Sequence, residues 1–174
     1  MRASLLVALV LVSAACDSGE SRPPVPEGFG RFEAEVSGAL TRSLAGIASF
    51  YEVPSPTGGR VGFSITLSDS GRPRRSLSFT DYGGAFADEG TYTFSADRIE
   101  SGIALLYMDD VSAVGDPSAF YAADSGTVRI TRSDAERIEG SFEAQIAAPL
   151  GRGGEAASTV VGTFEAVPLR VPSR

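Results

Sequence analysis

The chain lacks several residue types on which common catalytic machinery depends. It contains no His, no Trp and no Lys, so its 15 basic residues are all Arg, and it has one Cys. Ser–His–Asp and Cys–His catalysis need an imidazole, and Schiff-base chemistry needs a Lys amine. His- or Cys-based zinc and iron sites are excluded as well. The sequence therefore predicts a protein without a cofactor and favours one that is not an enzyme.

Basic charge is also scarce. The chain has 22 acidic residues against 15 basic ones, a net charge of −7. Without residues 1–15, which include Arg2 and no acid, 14 basic residues stand against 22 acidic ones, and the net charge is −8. Proteins that bind nucleic acids need basic patches to neutralise phosphates. This charge balance argues against a nucleic-acid partner.

A long apolar run is missing, but a short one begins the chain. Arg2 precedes the apolar residues 5–12, and the small residues Ser13, Ala14 and Ala15 follow them. The run is too short to span a bilayer, which takes about 20 residues. A basic start, an apolar centre and a small-residue cleavage site are typical of a secretory signal peptide. We expect residues 1–15 to be that signal.

The only cysteine, Cys16, follows the expected cleavage site. Here the chain resembles a bacterial lipoprotein, whose signal ends in small residues before a Cys that is acylated; Ser13 stands where that signal usually has Leu. The resemblance implies lipidation of Cys16 and attachment to an inner or outer membrane of the bacterial cell envelope. The alternative is an ordinary secretory signal with an unmodified Cys. The polar, Pro-rich residues 17–28 are typical of an extended tether, so residues 16–28 would link the anchor to a domain over residues 29–174.

Alternating polarity is clearest in residues 125–147. The apolar positions are Val128, Ile130, Ile138, Phe142, Ala144 and Ile146, with polar residues between them. This period of two indicates strands with one buried and one solvated face. Turn residues at 132–136 separate the two runs, so we expect a long antiparallel hairpin.

Similar patterns predict further strands along the domain. They cover residues 32–40, 44–53, 61–67, 77–79, 92–96 and 158–169, with an edge segment at 119–123. The apolar run 103–108 fits either a strand or a piece of helix, and its length and surroundings favour a strand. The sequence predicts an all-β fold, an antiparallel sandwich or small β-barrel of about eight or nine strands.

A short motif occurs twice near the C-terminus. Gly140-Ser141-Phe142-Glu143-Ala144 is echoed by Gly162-Thr163-Phe164-Glu165-Ala166. Gly before an inward Phe gives the ring room and lets the strand coil. These motifs, the Gly126-Thr127-Val128 start of the hairpin and the closing Pro168-Leu169 resemble small β-domains of uncharacterised bacterial envelope lipoproteins, many of Bacteroidota-like lineages and some likened to calycin barrels. The resemblance concerns structure and implies no functional residue.

Candidate sites rest on carboxylates and arginines. The strand carboxylates are Glu33, Glu35, Glu139, Glu143 and Glu165. They lie on the polar parity, so we interpret them as a solvated face with Arg129 and Arg137 as cross-strand partners. The remaining acids fall in turns and loops, including the turn at residues 69–73. We therefore expect no pair of buried carboxylates and ordinary pKa values near 4.

Three loops offer weaker candidates. Asp109, Asp110 and Asp116 share one loop and are a candidate calcium site, although their spacing is not that of an EF-hand. Residues 151–154 suggest a phosphate cradle, but no helix follows, so a hairpin tip is the better interpretation. Arg72, Arg74 and Arg75 form a basic cluster that would suit lipid headgroups or, more simply, a solvated turn.

These observations indicate a lipid-anchored envelope protein that serves as a non-catalytic binding or structural module. The envelope protein, glycan or other molecule that it contacts is left open. One alternative is a calycin-like barrel that carries a small apolar ligand in an interior cavity. A second alternative is a carboxylate-dependent glycan hydrolase.

Overall fold

The computed structural model describes residues 24–54, 61–81, 88–95, 103–113, 120–147 and 157–169. Its strands form one closed barrel, which confirms the all-β prediction and decides for the barrel over the sandwich. The nine strands are β1 (Gly30–Gly38), β2 (Arg42–Pro54), β3 (Val61–Asp69), β4 (Ser76–Asp81), β5 (Gly90–Ser95), β6 (Ile103–Met108), β7 (Phe120–Ser133), β8 (Ile138–Ile146) and β9 (Ser158–Pro168).

Around the barrel the strands follow the order β1-β2-β3-β4-β6-β5-β7-β8-β9, and β9 pairs again with β1. Most neighbours are antiparallel, as expected. Two short contacts are parallel: Phe94 of β5 lies opposite Ile103 of β6, and Ser49 and Phe50 of β2 lie opposite the end of β9. These contacts occur where β5 enters between β6 and β7 and where β2 extends beyond the start of β1.

The run 103–108 is a strand, as its length indicated. Its residues alternate between buried and half-buried, so one face of β6 lines the interior and the other faces outward. A short 3-10 helix, Val111–Ala113, follows it. The turn after β7 lies at residues 134–137, and the hairpin that it closes is also confirmed.

The expected edge segment at residues 119–123 is a wrong prediction. Phe120 begins β7, and Ala122 lies opposite Leu106 of β6. Ala123, on the next position, lies opposite Ile146 of β8. Closure of the barrel gives this segment a neighbour on each side, which the local sequence does not reveal.

Aromatic rings fill the middle of the barrel. Phe79 is fully buried. Its ring centroid lies 4.9 Å from that of Phe142, 5.7 Å from that of Phe94 and 5.8 Å from that of Phe164. Aromatic pairs at these separations add to the stabilisation from apolar burial. The interior at this level is a packed core.

The repeated Gly–Phe motif has a cross-strand explanation. Phe142 of β8 lies opposite Gly162 of β9, and Phe164 lies opposite Gly140. A Cβ at residue 162 would lie 2.7 Å from Cζ of Phe142, and one at residue 140 would lie 2.8 Å from Cζ of Phe164. Each glycine therefore makes room for the ring on the neighbouring strand.

Candidate functional site

The outer surface of β1, β9, β8 and β7, together with the turn between β7 and β8, carries a row of charges that neutralise one another. Arg137 Nη1 lies 3.1 Å from Glu165 Oε1 and 3.6 Å from Glu139 Oε1. Arg31 adds a contact to Glu165, and Arg132 contacts both Glu139 and Asp134. We call these six residues, three arginines and three carboxylates, the paired row. It confirms the prediction that Arg137 is a cross-strand partner of strand carboxylates.

Beside the paired row, the same outer surface forms a groove of about 500 Å³. We call it the outer groove; it is lined by Glu33, Ala34, Glu35, Thr91, Thr127, Arg129, Ser141, Phe142, Glu143, Val161, Gly162 and Thr163. Its polar side chains all project from the outward parity of their strands. Val161, near its centre, is 49% exposed, a high value for an apolar side chain on a charged surface.

Strand register sets the order of groups in the outer groove. Glu33 of β1 lies opposite Thr163 of β9, which lies opposite Ser141 of β8. Ser141 lies opposite Arg129 of β7, which lies opposite Thr91 of β5. One cross-strand row thus runs over five neighbouring strands. In the next row, Val161 lies between two carboxylates, Glu35 and Glu143.

The polar groups of the outer groove make few contacts with one another. Glu35 accepts a 2.7 Å hydrogen bond from Ser43. Within the described residues, the side chains of Glu33, Arg129, Glu143 and the four groove hydroxyls have no ion pair or hydrogen bond. The predicted cross-strand ion pair of Arg129 is therefore wrong, because Arg129 lies opposite the hydroxyls of Thr91 and Ser141.

A second polar cluster closes one end of the barrel. Asp69 Oδ1 accepts a hydrogen bond from the backbone N–H of Ala45, and its Oδ2 lies 3.6 Å from Arg75 Nη1. Arg75 Nε donates a 3.0 Å hydrogen bond to Asp109 Oδ1. That oxygen also lies 3.7 Å from Arg42 Nε. Asp69, Arg75, Asp109 and Arg42 form the barrel-end ion network, which connects β2, β3 and the end of β6.

Tyr107 belongs to this end of the barrel as well. Its side chain is fully buried, and its hydroxyl donates a 2.6 Å hydrogen bond to Asp109 Oδ1. Burial, the hydrogen bond to Asp109 and the negative charge of Asp109 together raise the pKa of Tyr107 far above its usual range. Tyr107 is therefore neutral and holds Asp109 by donating a hydrogen bond to it.

Two sequence interpretations fail at the barrel-end ion network. The sequence predicts Asp69 in a turn, but it ends β3 with its side chain 1% exposed. Arg75 was expected in a solvated basic cluster, but it is largely buried between Asp69 and Asp109, while Arg72 and Arg74 are exposed. The chain does reverse at residues 69–73, as predicted. Asp69 and Arg75 are buried there because β2 and the end of β6, which are distant in sequence, pack against them.

Two carboxylates are buried among the residues that the structure describes. Asp69 and Asp81 are 2% and 4% exposed and end β3 and β4, so the expectation that the remaining acids fall in turns and loops is wrong for both. They lie at opposite ends of the barrel, because Asp69 precedes the start of β4 and Asp81 ends it. The six residues of β4 extend over about 17 Å. The two carboxylates therefore form no pair.

The candidate calcium loop is only partly described. Asp109 is held by Arg75 and Tyr107, whereas Asp110 accepts hydrogen bonds from the hydroxyl and backbone N–H of Ser112. These bonds lower the pKa of Asp110, against the expectation of ordinary values for all acids. The described residues contain no group of three potential metal ligands. Since Asp116 lies outside them, the calcium site stays a prediction.

Other sequence candidates also lie outside the described residues: Cys16, the signal at residues 1–15 and the glycine-rich residues 151–154. Among the described residues, no helix has the length and apolar composition that crossing a membrane would require. No family model, curated protein or solved structure matches the chain.

Proposed function

We propose that the protein is a lipid-anchored, non-catalytic binding module of the bacterial cell envelope, and that it binds through the outer groove. The observation that carries this proposal is the contrast between the two outer rows. The paired row neutralises its own charges, whereas the polar groups of the outer groove are almost all unused within the described chain. A concave surface with convergent, unpaired polar groups is the usual form of a ligand site.

Packing of the interior supports this proposal over a carrier of an apolar ligand. A calycin-like carrier needs an apolar cavity inside the barrel. Phe79 and the three rings around it occupy the axis at the middle of this barrel. An apolar ligand at that level would have to displace close-packed side chains, which costs contacts on every side.

The positions of the carboxylates support a binding role over glycan hydrolysis. A hydrolase needs a carboxyl group whose pKa is raised by desolvation, next to a second carboxylate. In the outer groove, Glu33, Glu35 and Glu143 are exposed to solvent. The buried Asp69 and Asp81 lie at opposite ends of the barrel. Asp69 does have a second carboxylate nearby, Asp109, but the guanidinium of Arg75 lies between the two and forms an ion pair with each. The carboxylates of the outer groove are not desolvated, and the desolvated Asp69 is engaged by an arginine.

The anchor is tested by changing the one cysteine. Cys16→Ser removes the thiol that acylation requires, so we expect the variant to move from the membrane fraction to the soluble fraction. Metabolic labelling with a radioactive fatty acid should label the wild type and not the variant. Arg72→Ser, a substitution at an exposed position on the barrel, is the control and should remain membrane-bound. A wild type that is soluble and carries a free thiol would contradict the anchor.

A further inference from the structure

The outer groove presents donors and acceptors of several kinds to one ligand. Glu33 and Glu143 supply carboxylate acceptors, and Arg129 supplies guanidinium donors. Four hydroxyls, of Thr91, Thr127, Ser141 and Thr163, can both donate and accept. On either side of these residues the same surface uses its polar groups internally: the paired row lies on one side, and Gln145 Nε2 donates to Thr159 Oγ1 on the other. The outer groove therefore lies between two regions of the surface whose polar side chains bond to one another.

We propose that the outer groove binds a neutral, linear oligosaccharide, an inference that rests on the proposed binding function. Sugar hydroxyls donate to carboxylates and accept from guanidinium and hydroxyl groups, so one neutral ligand satisfies groups of both signs. The C–H face of a sugar ring packs against the isopropyl group of Val161, which lies between Glu35 and Glu143.

Ligands of other charge fit this set less well. An amine would pair with Glu33 or Glu143 but would leave Arg129 facing like charge. An anion would pair with Arg129 but would face three carboxylates. A second copy of the chain without residues 1–15 brings a net charge of −8 of its own toward the same carboxylates. A neutral ligand with many hydroxyls avoids each of these repulsions.

The dimensions of the outer groove favour a chain over a single sugar. Its lining residues come from β1, β9, β8, β7 and β5, which are consecutive neighbours in the barrel. Four spacings between five strands amount to about 19 Å. Several linked sugar rings would cross the strands along the row from Glu33 to Thr91.

The test is an NMR titration of the Cys16→Ser protein with four hexasaccharides, cellohexaose, chitohexaose, maltohexaose and laminarihexaose. We expect at least one of them to shift the amide signals of groove residues saturably. Arg129→Ala and Glu143→Gln should each weaken that binding about fivefold or more. The matched controls on the same strands, Arg132→Ala and Glu139→Gln, should leave it within about twofold, because they alter the paired row.

Salt and competing ligands separate this proposal from its rivals. Binding of a neutral chain should change little between low and physiological ionic strength, whereas amine binding would weaken with salt. Spermidine should not shift the groove signals. Failure of all four hexasaccharides, shifts located elsewhere, or stronger shifts with spermidine would overturn the oligosaccharide proposal while leaving the anchored module intact. Cleavage of a bound hexasaccharide would instead overturn the non-catalytic function and leave the groove as a glycan site.

Discussion

At the scale of single residues, parity decides which side chains stabilise the fold. Phe142 is 3% exposed and contacts the rings of Phe79 and Phe164, whereas its neighbour Glu143 points into solvent. The two residues share one strand and differ only in the face on which they lie. This alternation was predictable from the sequence because the period of the apolar residues equals that of the β-pleat.

Substitution at these neighbours should have very different effects. Phe142→Ala removes a ring from the packed centre, so we expect it to lower the free energy of unfolding by about 3–5 kcal/mol. Glu143→Ala should change it by no more than about 0.5 kcal/mol, because the carboxylate has no partner within the described residues. Denaturant unfolding monitored by circular dichroism measures both values. Equal losses at the two positions would contradict the strand register.

Asp69 marks the limit of residue-scale prediction. The sequence Asp69-Ser70-Gly71-Arg72-Pro73 has ordinary turn chemistry, and nothing local distinguishes a solvated Asp from a buried one. Its burial depends on Arg75 after the turn and on the backbone of Ala45 in another strand. The burial of Asp69 could not be predicted because it depends on contacts between parts of the chain that are distant in sequence.

At the scale of elements, the hairpin of β7 and β8 is held at its turn by one carboxylate. Asp134 Oδ1 accepts hydrogen bonds from the backbone N–H groups of Glu136 and Arg137, and its Oδ2 accepts one from Arg132 Nε. The bond from Glu136, then the bond from Arg132, lower the pKa of Asp134 below its ordinary value. The turn therefore favours the ionised form.

Acid should loosen this turn in a defined pH range. Because the pKa of Asp134 is lower in the folded state, its stabilising contacts are complete above about pH 4, the ordinary Asp value, and are lost as pH falls through the folded value. The amide signals of Glu136 and Arg137 should titrate with a midpoint below 3.9 in an NMR experiment. Asp134→Asn should abolish that transition. A midpoint at or above 4 would count against the contact geometry.

Strands were predictable because alternation and turn residues are local signals. The period-two pattern predicted the positions of β1, β3 and β8 to within a few residues, and it predicted the C-terminal half of β7. The parallel contacts of β5 with β6 and of β2 with β9 left no such signal. They depend on how the closed barrel fits short strands between longer neighbours, which is a property of the whole sheet.

At the scale of the whole molecule, the outer groove could not be predicted from the sequence. The sequence assigned Glu33, Arg129 and Ser141 to the outward face, which is correct. It could not place them in one row, because β1 meets β9 only when the barrel closes and β5 enters beside β7. Outward residues on separate strands became a candidate site through closure.

The central claim is that ligands bind outside a packed barrel. Its most direct test is a methyl-resolved NMR titration of the Cys16→Ser protein with dodecanoate, an apolar chain suited to a barrel cavity. We expect the interior methyl signals of Ile65, Leu67 and Leu77, all fully buried, to stay unchanged. Saturable one-to-one shifts of these signals would contradict the claim and would support an interior ligand site.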